Sequence, residues 1–230
     1  MYLCAKFEDE IKKGDESMKI TKGKVYIFLL MCIGNLFLGL GVALLRLADF
    51  GTDPYSCMNI GMSGQLGLTY GTFQLIMNLI LFVPAIIVVP KTFGVGAFIN
   101  MIGIGYIADF FMWFWGGFGF TIEVFSGQLI ARIIIVLIGI LVFCFGIGLY
   151  MACDMGVAPY DAVGLVLEKL SKGKLAFRWM RVVSDVICMI VGYISGGTLG
   201  VITIIVAFFA GPLVSWYREK STKLIIRLRG

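Results

Sequence analysis

The chain has 230 residues, 60% hydrophobic and 14% charged, with a formal net charge of +5 and a mean hydropathy of +0.97. A soluble domain is about 25% charged, and a chain of this size cannot enclose so much apolar side chain in water. Soluble globular and disordered classes are excluded, and the lipid bilayer is the solvent that fits. There is no His, which removes imidazole metal ligation, a His-based triad and a histidine pH switch. Cys4, Cys32, Cys57, Cys144, Cys153 and Cys188 are scattered without a C-x-x-C pair, which argues against a zinc or iron–sulfur site and against a disulfide framework. No metal, cofactor or enzymatic nucleophile–base set is expected.

In chain order, residues 1–24 form a polar tail with six Lys and five acids. About 20 apolar residues cross a bilayer as a helix, and six stretches qualify: 25–48, 71–89, 94–115, 129–152, 178–195 and 198–217. The fifth opens on Arg178 and Arg181 and contains Asp185. An open strand edge has no place in lipid, so the spans are read as helices. With the N-terminus in the cytoplasm, segments 1–24, 90–93, 153–181 and 218–230 hold 17 of the 19 Lys and Arg, the inside bias of a multi-pass protein with both termini cytoplasmic. The basic tails fit the anionic inner leaflet and need no nucleic acid. Trp113 and Trp115 fall at the outer boundary, and Trp179, Trp216 and Tyr217 at the inner one, as an aromatic belt.

The chain also resembles itself. At a shift of 105, Gly34, Leu36, Gly41, Leu44, Asp49, Gly51, Pro54 and Tyr55 meet Gly139, Leu141, Gly146, Leu149, Asp154, Gly156, Pro159 and Tyr160, eight identities in 22 columns. Two membrane repeats follow, 25–115 and 129–217, joined by an outer loop 116–128 and followed by a basic tail 218–230. Each holds three spans, and an odd number inserts the second unit upside-down relative to the first. The expected fold is therefore an all-α polytopic membrane protein of two inverted three-helix repeats, the ground plan of many secondary transporters. The Pro-Tyr element of the first repeat is expected to face out and that of the second to face in.

The shared Asp-x-Gly-x-x-Pro-Tyr element has a local logic. Gly51 and Gly156 supply a left-handed residue to end a helix, and Pro54 and Pro159 suit the first turn of the next one. Asp53 is a good N-cap; Ala158 is a poor one, with Asp161 in the first turn as compensation. Each repeat thus carries a short amphipathic helix, 54–66 and 159–171, too short at about 1.5 Å per residue to span a bilayer. Two readings stand: an interfacial connector, or a re-entrant half-helix whose N-terminal N–H groups serve a polar solute.

Polar side chains near mid-depth are candidate functional groups. Asn35, Asn78 and Asp185 are the deepest. At a shift of 107, Gln74 and Asn78 match Arg181 and Asp185, an i, i+4 pair in each half. Arg181–Asp185 reads either as a self-neutralising structural pair or as a site where Asp185 binds a proton, cation or solute amine beside Asn35, Gln74 and Asn78. Asp109, Arg46 and Arg132 lie in the outer third. Gly39-xxx-Ala43 and Cys144-xxx-Gly148 let helices approach closely.

Over 25–217 the chain resembles the YczE/YyaS/YitT-type family of bacterial integral membrane proteins, most closely its YczE-like branch. The resemblance rests on Gly39-Leu-Gly41, Leu47-Ala-Asp49-Phe-Gly51-Thr-Asp-Pro54-Tyr55, Gly67-Leu-Thr-Tyr-Gly71, Met155-Gly156-Val-Ala-Pro159-Tyr160-Asp161, Arg181 with Asp185, Gly200-Val-Ile-Thr203 and Gly211-Pro212-Leu. It implies a multi-pass protein of the bacterial cytoplasmic membrane and names no reaction. Two functions are carried forward. One is a permease for a small polar or ionic solute with its site between the repeats. The other is a non-transporting scaffold, homo-oligomeric or bound to a membrane partner through its basic tails.

Overall fold

The computed structural model describes residues 2–171 and 177–229, and among these the chain is entirely helical. In order the helices are α1 (Tyr2–Ala48), α2 (Pro54–Leu66), α3 (Tyr70–Val88), α4 (Val95–Gly117), α5 (Ile122–Ser126), α6 (Leu129–Ala152), α7 (Pro159–Leu170), α8 (Phe177–Ile194) and α9 (Val201–Arg229). Five segments are long and apolar enough to cross a bilayer: Gly23–Ala48, Tyr70–Val88, Val95–Gly117, Leu129–Ala152 and Val201–Ile226. The remaining expected span, 178–195, is the 18-residue α8, set apart from these five by Arg178, Arg181 and Asp185. Two regions differ from expectation in form. Helix α1 continues back through the polar N-terminal stretch, and α9 runs on through the basic one, because Lys, Glu and Arg are good helix formers and no Pro interrupts either. The expected loop 116–128 contains the short α5.

The central seam joins α1 to α6, and glycines set its spacing. A Cβ on Gly34 would stand 2.7 Å from the Tyr150 nitrogen, and one on Gly41 2.6 Å from Phe143 Cα. From the other helix, a Cβ on Gly146 would stand 2.7 Å from Leu38 Cα, and one on Gly139 3.1 Å from Leu45 Cδ2. Partner numbers fall along α6 as they rise along α1, so the two helices are antiparallel. Their matched glycines sit at matched points of the seam, which is how small residues let two helix backbones meet in lipid. The buried cluster of Leu38, Val42, Ala43, Tyr70, Ile104, Ala108, Phe143, Cys144 and Tyr150 fills the space around it.

The remaining helices pack in matched pairs. Helix α4 lies along α1 and α9 along α6; α2 lies against α8 and α7 against α3. The turns after α1 and α6 are alike in detail. Asp49 and Asp154 both take φ 51°, and Gly51 and Gly156 take φ 110° and 121°. The left-handed residue that closes each long helix is thus the Asp, not the expected Gly. Asp tolerates this region better than most side chains, while the Gly two residues on takes a conformation that an L side chain rarely adopts. Each turn also crosses to the other half of the chain: Met155 O accepts from Gly96 N at the start of α4 (2.9 Å), and Phe50 O from Ile202 N at the start of α9 (3.4 Å). Arg132 closes the first turn further, donating from Nε to Ala48 O (2.7 Å) and from Nη2 to Asp49 O (2.6 Å). Its guanidinium lies 4.0 Å from the Phe50 ring centre.

Candidate functional site

The two short helices position the site. Asp53 caps α2 by accepting from Ser56 N at 3.0 Å, and Pro54 opens its first turn. Helix α7 opens on Pro159 without a side-chain cap at Ala158 and carries Asp161 in its first turn. In both, the first turns are packed inside and the last residues emerge at the surface. The three-residue turn 67–69 folds α2 back on α3, so those two run antiparallel. Helix α7 runs beside α3 in the same direction, with Ala162 and Val166 packed with Ala85 and Val88. Helices α2 and α7 therefore point in opposite directions, and their N-termini meet.

At that meeting point the rings of Tyr55 and Tyr160 stack, centroids 4.3 Å apart and planes 16° from parallel. These tyrosines were expected at opposite faces of the protein, and the structure brings them into contact inside it. Each tyrosine directly follows the proline that opens its short helix, so the two meet where the helix N-termini meet. Met58, Cys188, Met62, Met77, Leu81 and Val191 surround the pair.

Each tyrosine donates to the residue that the repeat makes equivalent. Tyr55 Oη donates to Asn78 Oδ1 at 2.9 Å, and Tyr160 Oη to Asp185 Oδ1 at 2.5 Å. Asn78 Nδ2 goes on to Met101 O on α4 (3.1 Å). On the charged side, Arg181 Nη1 contacts Asp161 Oδ1 directly, its Nε stands 3.7 Å from Asp185 Oδ1, and its guanidinium lies 5.0 Å from the Tyr160 ring centre. Tyr150 Oη on α6 donates to the other oxygen of Asp161 at 2.6 Å. One half of the centre is thus an amide and a phenol, the other a guanidinium shared by two carboxylates. Two helix N-termini, each worth about half a positive charge, face the same place.

Asn78, Arg181, Asp185, Tyr55, Tyr160 and Asp161 are gathered here. Gln74 is buried one turn before Asn78 on α3, with its Oε1 unpartnered and close to the Cα side of Gly105. Asn59, one turn after Tyr55 on α2, is fully buried with both amide atoms unpartnered. Asn35 stands apart: it accepts from Asn100 Nδ2 at 2.8 Å and donates to Met31 O at 3.0 Å, in the α1–α4 contact. Arg46 pairs with Asp109 at 2.8 Å, and the other Asp109 oxygen accepts from Gly71 N at 2.7 Å at the start of α3. Arg132 stands 3.7 Å from Asp49 Oδ2. Sequence reading missed Tyr150 and Asn100, which carry no repeat match. It named Asp161 as a turn residue without seeing that it would hold Arg181.

The chain is similar to three proteins of related length. It is 27% identical over 186 residues to the uncharacterized protein YyaS of Bacillus subtilis, covering 79% of this chain and 87% of that one. It is 26% identical over 186 residues to an uncharacterized protein of Haemophilus influenzae, covering 78% of each. Similarity to the uncharacterized membrane protein YczE of Bacillus subtilis is 22% over 193 residues, covering 84% of this chain and 85% of that one. No solved structure gives a significant match. Residues 25–219 match the family described as DUF6198, a family of unknown function. With its apolar helices and this match over nearly all of them, the chain belongs to the DUF6198 family and is an integral membrane protein of the YczE/YyaS type.

Proposed function

We propose that this protein is a secondary transporter for a small polar solute, built as six spans in two inverted repeats, with α2 and α7 as re-entrant half-helices. The observation that carries this reading is the head-to-head meeting of the two half-helix N-termini at the stacked Tyr55 and Tyr160. Supporting it are the antiparallel seam of α1 and α6 and the paired turns after them. A connector lying on the membrane surface would expose one long face of α2, whereas Pro54 to Asn59 are all buried. In an inverted repeat such broken helices place their positive ends at a central site that is reached in turn from either side. Here α2 and the turn before it belong to the outer half, α7 and the turn before it to the inner half, with both chain termini in the cytoplasm.

Topology and transport are tested separately. Reporters inserted after Gly67 and after Ser171, at the emergent ends of α2 and α7, are expected in opposite compartments. The same compartment for both would end the inverted arrangement. In proteoliposomes screened with radiolabelled amino acids, sugars and quaternary amines, the wild type is expected to move a member of the panel. Asn78→Leu removes the acceptor of Tyr55 and the donor to Met101, and is expected to lower that flux by at least about tenfold, the loss of roughly 1.4 kcal/mol in one buried hydrogen-bonded contact. Undiminished flux in a folded Asn78→Leu protein would remove the site from this position.

A further inference from the structure

We propose that Asp185 is a proton-binding site: in the structure described here its carboxyl group is protonated, and Arg181 neutralises Asp161. Its role as the coupling-ion site rests on the transporter reading above; its existence does not. The count of charges at the centre leads there. Arg181 is the one cation that touches the network among the described residues, and it touches two carboxylates, in direct contact with Asp161 and only 3.7 Å away, through Nε, from Asp185. Asp161 is also held by Tyr150 Oη at 2.6 Å and sits in the first turn of α7, where the helix end favours its charge. Asp53 likewise has a helix end to itself, capping α2 by accepting from Ser56 N. Asp185 is in the middle of α8 and has no such end. The other titratable groups packed around it, Tyr160 on α7, Tyr55 on α2 and Cys188 on α8, are neutral acids; helix α3 brings Met77, Leu81 and the amide Asn78, none of which carries a charge. A carboxylate in that position is one negative charge in excess, and a buried excess charge is discharged by taking up a proton.

The first repeat supplies an independent comparison. There the same tyrosine-to-acceptor bond, Tyr55 Oη to Asn78 Oδ1 at 2.9 Å, ends on a neutral amide. A protonated Asp185 offers Tyr160 the same group, an uncharged carbonyl oxygen Oδ1, and carries its proton on Oδ2. The step is a simple exchange with water: Asp185 carboxylic acid gives one proton to the solvent and becomes a carboxylate. That carboxylate then competes with Asp161 for Arg181, and the guanidinium swings from the α7 side to the α8 side. Loss of the proton is thereby felt at the N-terminus of the inner half-helix.

Infrared difference spectroscopy on the full-length protein in lipid, titrated with pH and repeated in D2O, tests this without any solute. The wild type is expected to show the carbonyl stretch of a protonated carboxylic acid, shifted down in D2O and lost as pH rises. Asp185→Asn is expected to abolish that band. Asp161→Asn is also expected to abolish it, because Arg181 is then free to serve Asp185 as a carboxylate. No such band in the wild type overturns the proposal whether or not either variant folds, as does a band that survives in Asp185→Asn. A band with no flux in proteoliposomes keeps the proton site and removes the transporter; flux without the band does the reverse.

Discussion

Gly41→Leu is expected to leave little folded protein in the membrane, with a loss of stability of about 3 kcal/mol or more. The side chain would enter the α1–α6 seam where even a Cβ stands 2.6 Å from Phe143 Cα and from the Phe143 nitrogen, both backbone atoms that cannot rotate away. The helices must separate, and the buried cluster that includes Leu38, Val42 and Phe143 opens with them. Gly146→Leu, the matched position on α6, is expected to do the same for the same reason, since its Cβ would stand 2.7 Å from Leu38 Cα. Gly64→Leu is the control. It adds an equal side chain to the exposed last turn of α2, where nothing lies within 4 Å, and helix propensity there favours Leu by roughly 0.8 kcal/mol. Monodispersity by size exclusion and thermal unfolding in detergent compare the three. A Gly41→Leu protein as stable as Gly64→Leu would mean that α1 and α6 are not packed as described.

Arg181→Gln is expected to destabilise the protein by about 3 kcal/mol, the lower end of the cost of stripping a buried ion pair of one partner. The lower end applies because the guanidinium side chain is 36% exposed, whereas Asp161 and Asp185 are 15% and 12% exposed. The amide cannot neutralise Asp161, and Tyr160 loses the cation over its ring. Adding Asp161→Asn should restore much of the loss, since the double variant removes the direct charge pair rather than half of it. Thermal unfolding of both singles and the double closes a mutant cycle on this pair. Additive losses would show that Arg181 and Asp161 do not interact, and the charged half of the centre would then have to be redrawn.

Much of the frame was legible because lipid leaves a chain few choices. A run such as 129–152, with no charge but Arg132, must be a helix that satisfies its own backbone, and α6 follows it residue for residue. The short helices were legible from punctuation: Asp53 before Pro54 marks the start of α2, and Gly67, with φ 65°, its end. Local signals were weaker where two residues compete for one conformational role. Asp49 and Gly51 both tolerate positive φ, and only the path of the turn decides that Asp49 closes α1 while Gly51 lets the chain pass Gly200 and Thr203.

Site membership divided along the same line. The repeat alignment put Asn78 opposite Asp185 and Tyr55 opposite Tyr160 from the letters alone, and those four share one centre. Depth along a span did not suffice for Asn35, because depth fixes a level in the membrane and not a direction around the helix. Asn35 turns towards α4 and Asn100.

Taken alone, the order of residues determined an all-helical membrane protein, since hydropathy and capping act within a single segment. Tertiary packing alone decided that the tyrosines of the two halves touch and that Arg181 turns to Asp161 on a neighbouring helix more closely than to Asp185 on its own. Those contacts depend on how helices distant in sequence are brought together, and the close approach of α2 to α8 at Gly61 and Gly192 is one such meeting.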